Sequence, residues 1–191
     1  DAITNESELS KSKEYARKIL DRANNMKLKI LDTMGSIRSL AHATPEDVNV
    51  IDILNSSIET ALAEFGATEI DVIKNFEVSQ KIKACPNEIR QIFNVLVSNA
   101  IGVMDGKGQL NISSVRASSG NTILQIQDTG PGIPRECITR VFDPFFTTKG
   151  SVGTGLGLNI VYRLVEKNGG RIDVFSPPDE GTTFIITLPA E

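Results

Sequence analysis

The residues of this chain that are best suited to bind a ligand or take part in a reaction lie between positions 127 and 158. Asp128 is followed by glycines at 130 and 132, and residues 153–157 read Gly-Thr-Gly-Leu-Gly. A carboxylate can accept a hydrogen bond from an exocyclic amine such as that of adenine, although it can also cap its own turn. Glycines let backbone N–H groups approach a bound anion closely. This segment therefore offers an acceptor for a base and N–H-rich loops for phosphates.

A lysine and an asparagine elsewhere in the chain could complete such a site. Lys149 ends the stretch FDPFFTTK at residues 142–149. A lysine suits a phosphate as a point charge, and a solvated side chain is the alternative. Asn99 lies within an apolar segment that predicts a helix, where an unpaired amide costs free energy. It is either a satisfied core asparagine or an oxygen ligand for Mg²⁺, which keeps several waters beside substrate phosphates.

In their order and spacing, these motifs resemble the catalytic, ATP-binding domain of the sensor histidine kinases of two-component systems. The resemblance covers residues from about 50 to 191. Residues 128–133 are similar to the first glycine box of that family, 142–149 to its phenylalanine box and 153–158 to its second glycine box. Asn99-Ala100 resembles the core of its asparagine box, and residues 181–184 resemble its closing strand. A lone Gly-x-Gly-x-Gly run would be weak evidence, but five elements in order are specific.

The resemblance implies transfer of the γ-phosphoryl group of ATP to a histidine, and from there to an aspartate on the receiver domain of a response regulator. Asn99 would hold Mg²⁺ and, with Lys149, act in catalysis. Asp128 would accept from the adenine amine, with Thr182 beside it on a neighbouring strand. The expected cofactors are Mg²⁺ and ATP or ADP. The implied nucleotide-binding residues are Asn99, Asp128, Gly130, Gly132, Ile133, Phe142, Thr148, Lys149, Gly153, Thr154, Gly155, Leu156, Gly157, Leu158 and Thr182.

Three positions depart from the pattern of that family. Val95 and Gly102 stand where polar and basic residues are usual on the Asn99 helix, and Cys85 stands where an acidic residue usually precedes the proline. These departures motivate an alternative function, a nucleotide-binding pseudokinase that acts as a dimeric interaction module. A serine kinase of the anti-sigma-factor type is a further alternative, against which the phenylalanine box and a long N-terminal helix both argue.

Composition places the chain among ordinary globular proteins. It has 191 residues, of which 40% are hydrophobic and 23% are charged, and its net charge is −4. A negative balance gives no electrostatic reason to expect nucleic-acid binding. No apolar run approaches 18 residues, so we expect no membrane contact from this stretch. We expect a cytoplasmic fragment with two unpaired thiols, Cys85 and Cys137, compatible with a parent protein tethered to a membrane.

The N-terminal part of the chain predicts one long helix over residues 5–43. Its apolar residues recur every seven positions, a pattern typical of a bundle or coiled coil. We therefore expect residues 1–45 to be a partial dimerisation region that joins two copies, and the alternative is a helix lying along its own domain. His42 lies at the end of this helix, three residues before Pro45, which suits a helix cap better than a phosphoacceptor. The acceptor histidine is thus expected outside this chain.

Residues 46–191 predict an α+β domain that carries the site. Helical periodicity covers residues 49–65, 86–104 and 159–168, and strand-like segments cover 70–73, 78–82, 110–117, 122–128, 171–175 and 183–188. This order favours a two-layer α/β sandwich with a mostly antiparallel sheet backed by helices. The resemblance implies that the sandwich is of the histidine-kinase ATPase-like (Bergerat) type. Residues 134–152 would form a lid over the nucleotide.

Overall fold

The computed structural model describes residues 44–77, 81–148 and 153–189. The predicted helix over 5–43, His42 and Lys149 lie outside the described residues. Strand β1 (Glu46–Asn49) leads directly into helix α1 (Val50–Phe65). The helix begins at Val50 because the Asn49 side chain accepts a hydrogen bond from the N–H of Ile51 at 3.1 Å. It ends at Gly66, whose left-handed conformation closes the last turn as the sequence predicted.

Nine further elements follow in chain order. They are strands β2 (Glu69–Phe76) and β3 (Lys81–Ala84), helix α2 (Pro86–Val103), strands β4 (Lys107–Arg116) and β5 (Thr122–Asp128), helices α3 (Arg135–Ile138) and α4 (Gly157–Lys167), and strands β6 (Arg171–Phe175) and β7 (Thr182–Leu188). The short elements β1 and α3 were not predicted. The strand expected over 78–82 is observed as β3, which runs on to Ala84, and residues 78–80 lie outside the described part.

Five of the strands form one sheet in the order β2-β4-β5-β7-β6. Strand β2 runs parallel to β4, and the other neighbours are antiparallel, so the prediction of a mostly antiparallel sheet is confirmed. Strands β1 and β3 form a separate antiparallel pair. In the large sheet, β5 and β7 pair so that Asp128 lies opposite Thr182. Two residues that the motifs singled out are thereby brought together.

Helices cover one face of this sheet and bury the core between the two layers. Alternate residues of β5 are buried, as expected for a strand with one face on a core. Helix α2 turns a continuous apolar stripe toward the interior and packs against both α1 and α4. The stripe consists of Ile89, Ile92, Phe93, Leu96, Val97, Ala100 and Ile101. Each large side chain buried in this way stabilises the fold by about 1.5–3 kcal/mol. The predicted two-layer sandwich is confirmed.

No helix in the described part of the chain is both long enough and apolar enough to cross a membrane.

Candidate functional site

Asp128 ends strand β5 with its side chain held in place by the backbone. The residue is 3% exposed. Its Oδ1 accepts a hydrogen bond from the N–H of Gly130 at 2.8 Å and a second from the N–H of Thr182 at 3.3 Å. The first bond is the Asx turn that the sequence left open as an alternative role. A carboxylate has two oxygens with about four lone-pair sites, so this turn is compatible with acceptance from a ligand as well.

A buried hydroxyl network supports the first glycine loop from below. The Ser176 hydroxyl donates to the carbonyl of Gly181 at 2.8 Å and accepts from the N–H of Ile133 at 2.8 Å. It also lies 3.0 Å from Oγ1 of Thr182. Ser176 thus ties three segments together: the glycine loop, the turn before β7 and the strand opposite Asp128. Sequence reasoning missed it, because a serine before two prolines reads only as part of a turn.

The backbone of the glycine loop approaches its neighbours too closely for a side chain at Gly132. This residue has φ +76°, and a Cβ there would lie 2.7 Å from the carbonyl oxygen of Pro177. Only glycine adopts such a conformation without strain and also lacks the colliding atom. The glycine at this position is therefore required by the packing of the loop.

One face of helix α2 runs between the two glycine loops. A Cβ built on Gly157 would lie 3.1 Å from Cγ1 of Val95, and a Cβ built on Gly130 would lie 2.9 Å from Cγ2 of Val103. Residues four apart share a helical face, so Asn99 lies midway between these two valines. The stretch from Val95 to Val103 spans about 12 Å at the usual rise per residue. Asn99, half-buried, thus lies between the first glycine loop and the start of α4.

The other polar residue nearby on α2 does not share this position. Asn94 is exposed, whereas Asn99 is half-buried. This agrees with the sequence argument that five residues of helix place the two amides on different sides. The place one turn before Asn99 is filled by the apolar Val95, which contacts the start of α4. Of the two asparagines, Asn99 is therefore the one that lies between the glycine loops.

Helix α4 begins at Gly157, inside the second glycine run. The first N–H groups of a helix lack internal partners and carry a partial positive charge, so this end favours an anion. Thr154 lies in the loop just before it, and its hydroxyl accepts weakly from the N–H of Leu156 at 3.4 Å. Ile160 is the first residue to bond back into the loop, to the carbonyl of Leu156. Gly153, Thr154, Gly155, Leu156, Gly157 and Leu158 all lie in this half-buried entry to the helix.

Residues 139–146, in the predicted lid, are attached to helix α4. The ring of Phe142 lies 5.5 Å from that of Tyr162, and the carbonyl of Phe142 accepts from Nδ2 of Asn159 at 2.8 Å. Phe142 is thus half-buried and packed against α4. The Tyr162 hydroxyl donates to Glu166 at 2.7 Å, a bond that raises the pKa of Tyr162 above its ordinary value.

Phe145 and Gly155 close the base of the lid by their backbones. The N–H of Phe145 donates to the carbonyl of Gly155 at 2.9 Å. Both residues have positive φ, and a Cβ on Gly155 would lie 2.3 Å from the carbonyl carbon of Phe145. The Phe145 ring itself is 74% exposed. Phe145 therefore presents its side chain outward while its backbone is fixed against the second glycine run. Thr148, farther along the lid, is exposed.

A cavity of about 500 Å³ is lined by the first glycine loop, the start of α3 and the turn before β7. Its lining includes Ile133 and Gly132 together with Pro178 and Asp179 of the turn before β7. Neither Asp128 nor Thr182 lines it. This cavity therefore lies apart from the group of residues around Asn99 and Asp128.

Comparison with known proteins agrees with this arrangement. Residues 84–191 match the model of the family described as histidine kinase-, DNA gyrase B-, and HSP90-like ATPase. Among curated relatives, the sensor histidine kinase ZraS of Salmonella typhimurium is 31% identical over 170 residues, which are 88% of this chain and 36% of ZraS. Sporulation kinase E of Bacillus subtilis is 32% identical over 148 residues, 78% of this chain and 19% of that kinase. The chain thus spans about a third or less of the length of these two relatives.

Solved structures show the same likeness. The mycobacterial sensor histidine kinase MprB has a TM-score of 0.67 at 26% identity, over 76% of this chain and 97% of the solved one. Full-length ShkA, solved in complex with AMPPNP, has a TM-score of 0.67 at 25% identity, over 78% of this chain and 32% of the solved one. The fold agrees with both. The chain therefore belongs to the family of histidine kinase-, DNA gyrase B- and HSP90-like ATPases, and its ATP-binding domain is that of a sensor histidine kinase.

Proposed function

We propose that this chain binds Mg·ATP between helix α2 and the two glycine loops and delivers the γ-phosphoryl group to a histidine. The observation that carries the proposal is the line Val95, Asn99, Val103 on one face of α2. Its ends contact the second and first glycine loops, and its centre is the amide of Asn99. The similar ShkA was solved in complex with AMPPNP, an ATP analogue, which supports nucleotide binding by this chain.

In this proposal the adenine base lies beside Asp128. The carboxylate is buried and fixed by two backbone N–H groups, so its orientation is set before a ligand arrives. The adenine amine would donate to it, and the Thr182 hydroxyl would hold a water beside it. Ile133 and Gly132 would pack along the ring. Preorganisation of this kind lowers the ordering cost of binding.

The phosphate end of the site is the start of α4. Residues 153–157 would offer backbone N–H groups, and the helix dipole would favour the negative charge. Thr148 and Lys149, in the lid, would add a hydroxyl and a cation. The Asn99 side chain fits Mg²⁺ because its amide oxygen is a hard donor and the ion keeps waters and phosphate oxygens as its other ligands. When bound, the ion would neutralise charge on the phosphates.

The reaction would be an in-line transfer. A histidine nitrogen attacks the γ-phosphorus, the bond from that phosphorus to the bridging oxygen breaks, and ADP leaves with the electron pair. The residues of this chain contribute mainly by positioning the nucleotide and stabilising charge. The phosphohistidine would then pass its phosphoryl group to an aspartate of a receiver domain. We propose that the acceptor histidine lies outside this chain. We also propose that residues 5–43 form a helix through which two copies dimerise in the cytoplasm.

Calorimetric titration with Mg·ATP and with ADP tests nucleotide binding. Asp128→Asn retains an oxygen for the Asx turn but places an amide donor where the adenine amine needs an acceptor. We expect the Kd of ADP to rise about 10- to 100-fold, because a hydrogen bond to a charged group contributes about 1.5–3 kcal/mol. Asp173→Asn, which removes a charge from edge strand β6, is the matched control and should bind like the parent chain. Absence of binding heat at millimolar nucleotide, or equal affinities for both variants, would overturn the proposal.

A further inference from the structure

Glu88 is a buried carboxylate near the start of α2, the helix that also carries Asn99. It lies in the first turn of α2, where the helix dipole favours a negative charge. Its side chain is 3% exposed. Its Oε1 accepts from Nζ of Lys167 at 2.5 Å, and its Oε2 accepts from Nδ2 of Asn168 at 2.8 Å. Both oxygens are therefore engaged by the end of helix α4.

These contacts fix how α4 lies along α2. The end of α4 contacts Glu88, whereas its beginning, at Gly157, contacts Val95. The two helices therefore run antiparallel. From Glu88 to Val95 is about 10 Å of helix, and from Gly157 to Lys167 is about 15 Å. Any shift of α4 along its own axis would change the distance between the Gly157 end and Asn99, one turn beyond Val95.

The remaining contacts of α4 with the core cannot set this position equally well. Its buried residues are Val161, Leu164 and Val165. Apolar contacts are non-directional and tolerate small sliding, whereas a buried carboxylate with two donors has a narrow range of good geometries. Moving α4 along its axis would leave a buried charge without full pairing, which is costly. The polar contact at the far end of α4 is thus suited to hold its near end in place.

We propose that Glu88, acting through Lys167 and Asn168, is a positioning residue that sets the start of α4 against Asn99 for binding the nucleotide phosphates. This inference rests on the proposed function. A role in stability alone would weaken the binding of all ligands alike. Loss of Glu88 should weaken phosphate-bearing ligands and spare adenosine, since the base end of the site lies on β5 and β7 rather than on α4.

The test compares adenosine with Mg·ADP on the same variants by calorimetry, well below the unfolding temperature. Glu88→Gln keeps the shape but turns an NH₂ group toward Lys167 or Asn168, so one donor faces another. We expect its Kd for Mg·ADP to rise about five- to twentyfold, the size of a coupling between contacting groups, while its Kd for adenosine stays within twofold. Glu166→Gln removes the same charge from α4 without touching α2, and it should match the parent chain for both ligands.

A second variant keeps the test valid if Glu88→Gln does not fold. Lys167→Met removes only the partner, whose side chain is 56% exposed, and should give the same split between ligands. Combining the two substitutions should add little to either alone, since both break one contact. Equal losses for adenosine and Mg·ADP, or no loss for either, would overturn the positioning role. If the parent chain itself binds neither ligand, the proposed function fails and this inference fails with it.

Discussion

At the level of single residues, the proposed function assigns the base to Asp128 and the metal to Asn99, two side chains on different layers of the fold. Asp128 lies at the end of a sheet strand and is fixed by backbone donors. Asn99 lies on a helix that packs on that sheet. Because the two groups are held by separate layers, substitutions at one should affect one end of the nucleotide. The residue-scale predictions follow from this separation.

Asn99→Ala should lower the affinity for Mg·ATP about tenfold or more, because it removes the oxygen that would tie the ion to the protein. Loss of a group that only supports a metal ligand already lowers metal affinity by about 10- to 100-fold. The measurement is calorimetry with Mg²⁺ and, separately, with EDTA. In EDTA, the variant and the parent chain should bind ADP equally. Asn94→Ala, on the exposed face of the same helix, controls for loss of helix stability. A loss of equal size in EDTA would contradict the metal role.

Ser176→Ala should lower the free energy of unfolding by about 1–3 kcal/mol, because it leaves the buried Ile133 N–H and the Gly181 carbonyl without their partner. Urea denaturation followed by circular dichroism measures this. Ser119→Ala, in the exposed turn between β4 and β5, should change stability little. An unchanged urea midpoint for Ser176→Ala would show that water replaces the hydroxyl and that the network does not hold the loop.

The sequence alone predicts some of the contacts in this site and not others. Asp128 and Thr182 could be predicted as neighbours because strand patterns and motif order place them on adjacent strands. Ser176 could not, because its role depends on a contact with Ile133, 43 positions away in the chain. A serine in a turn carries no local signal of that contact. The periodicity of a sequence does not in general reveal a role that depends on a long-range hydrogen bond.

At the level of elements, the long periodic segments were predictable and the short ones were not. The α2 stripe spans about five turns, so its helical repeat is unambiguous. Strand β1 has four residues, and only Val48 of them is buried, which leaves too little pattern to detect. The same reason applies to α3, whose four residues include none that are buried. Short elements are defined by their neighbours and become visible only in the fold.

Gly155→Ala should weaken Mg·ATP binding about tenfold or more, because a Cβ would collide with the Phe145 backbone at 2.3 Å and the base of the lid could not close. Calorimetry measures the effect, and thermal melting checks that the chain is folded. Gly66→Ala is the matched control: it has a similar positive φ of 58°, but nothing lies within 4 Å of its Cβ. It should cost about 1 kcal/mol of stability and leave nucleotide affinity unchanged. Parallel losses of affinity in both variants would indicate general destabilisation instead.

At the level of the whole molecule, the catalytic domain and the phosphoacceptor need not reside in the same stretch of chain. The relatives that match it are named kinases and are about two and a half times its length or more, which favours the kinase over the pseudokinase that Val95 and Gly102 suggested. Val95 packs against the start of α4, so its apolar character fits a structural contact at that position. What decides the matter is transfer to a histidine.

We expect this chain to phosphorylate, between molecules, a longer form of the protein whose own use of ATP is weakened by Asn99→Ala. With radiolabelled ATP, the label should accumulate on the longer chain, resist base and be lost in acid, as a phosphohistidine is. His42→Gln in both chains should leave the label unchanged, because that residue follows the pattern of a helix end rather than of an acceptor. Tight nucleotide binding without label would favour the pseudokinase, whereas loss of label with His42→Gln would place the acceptor within this chain.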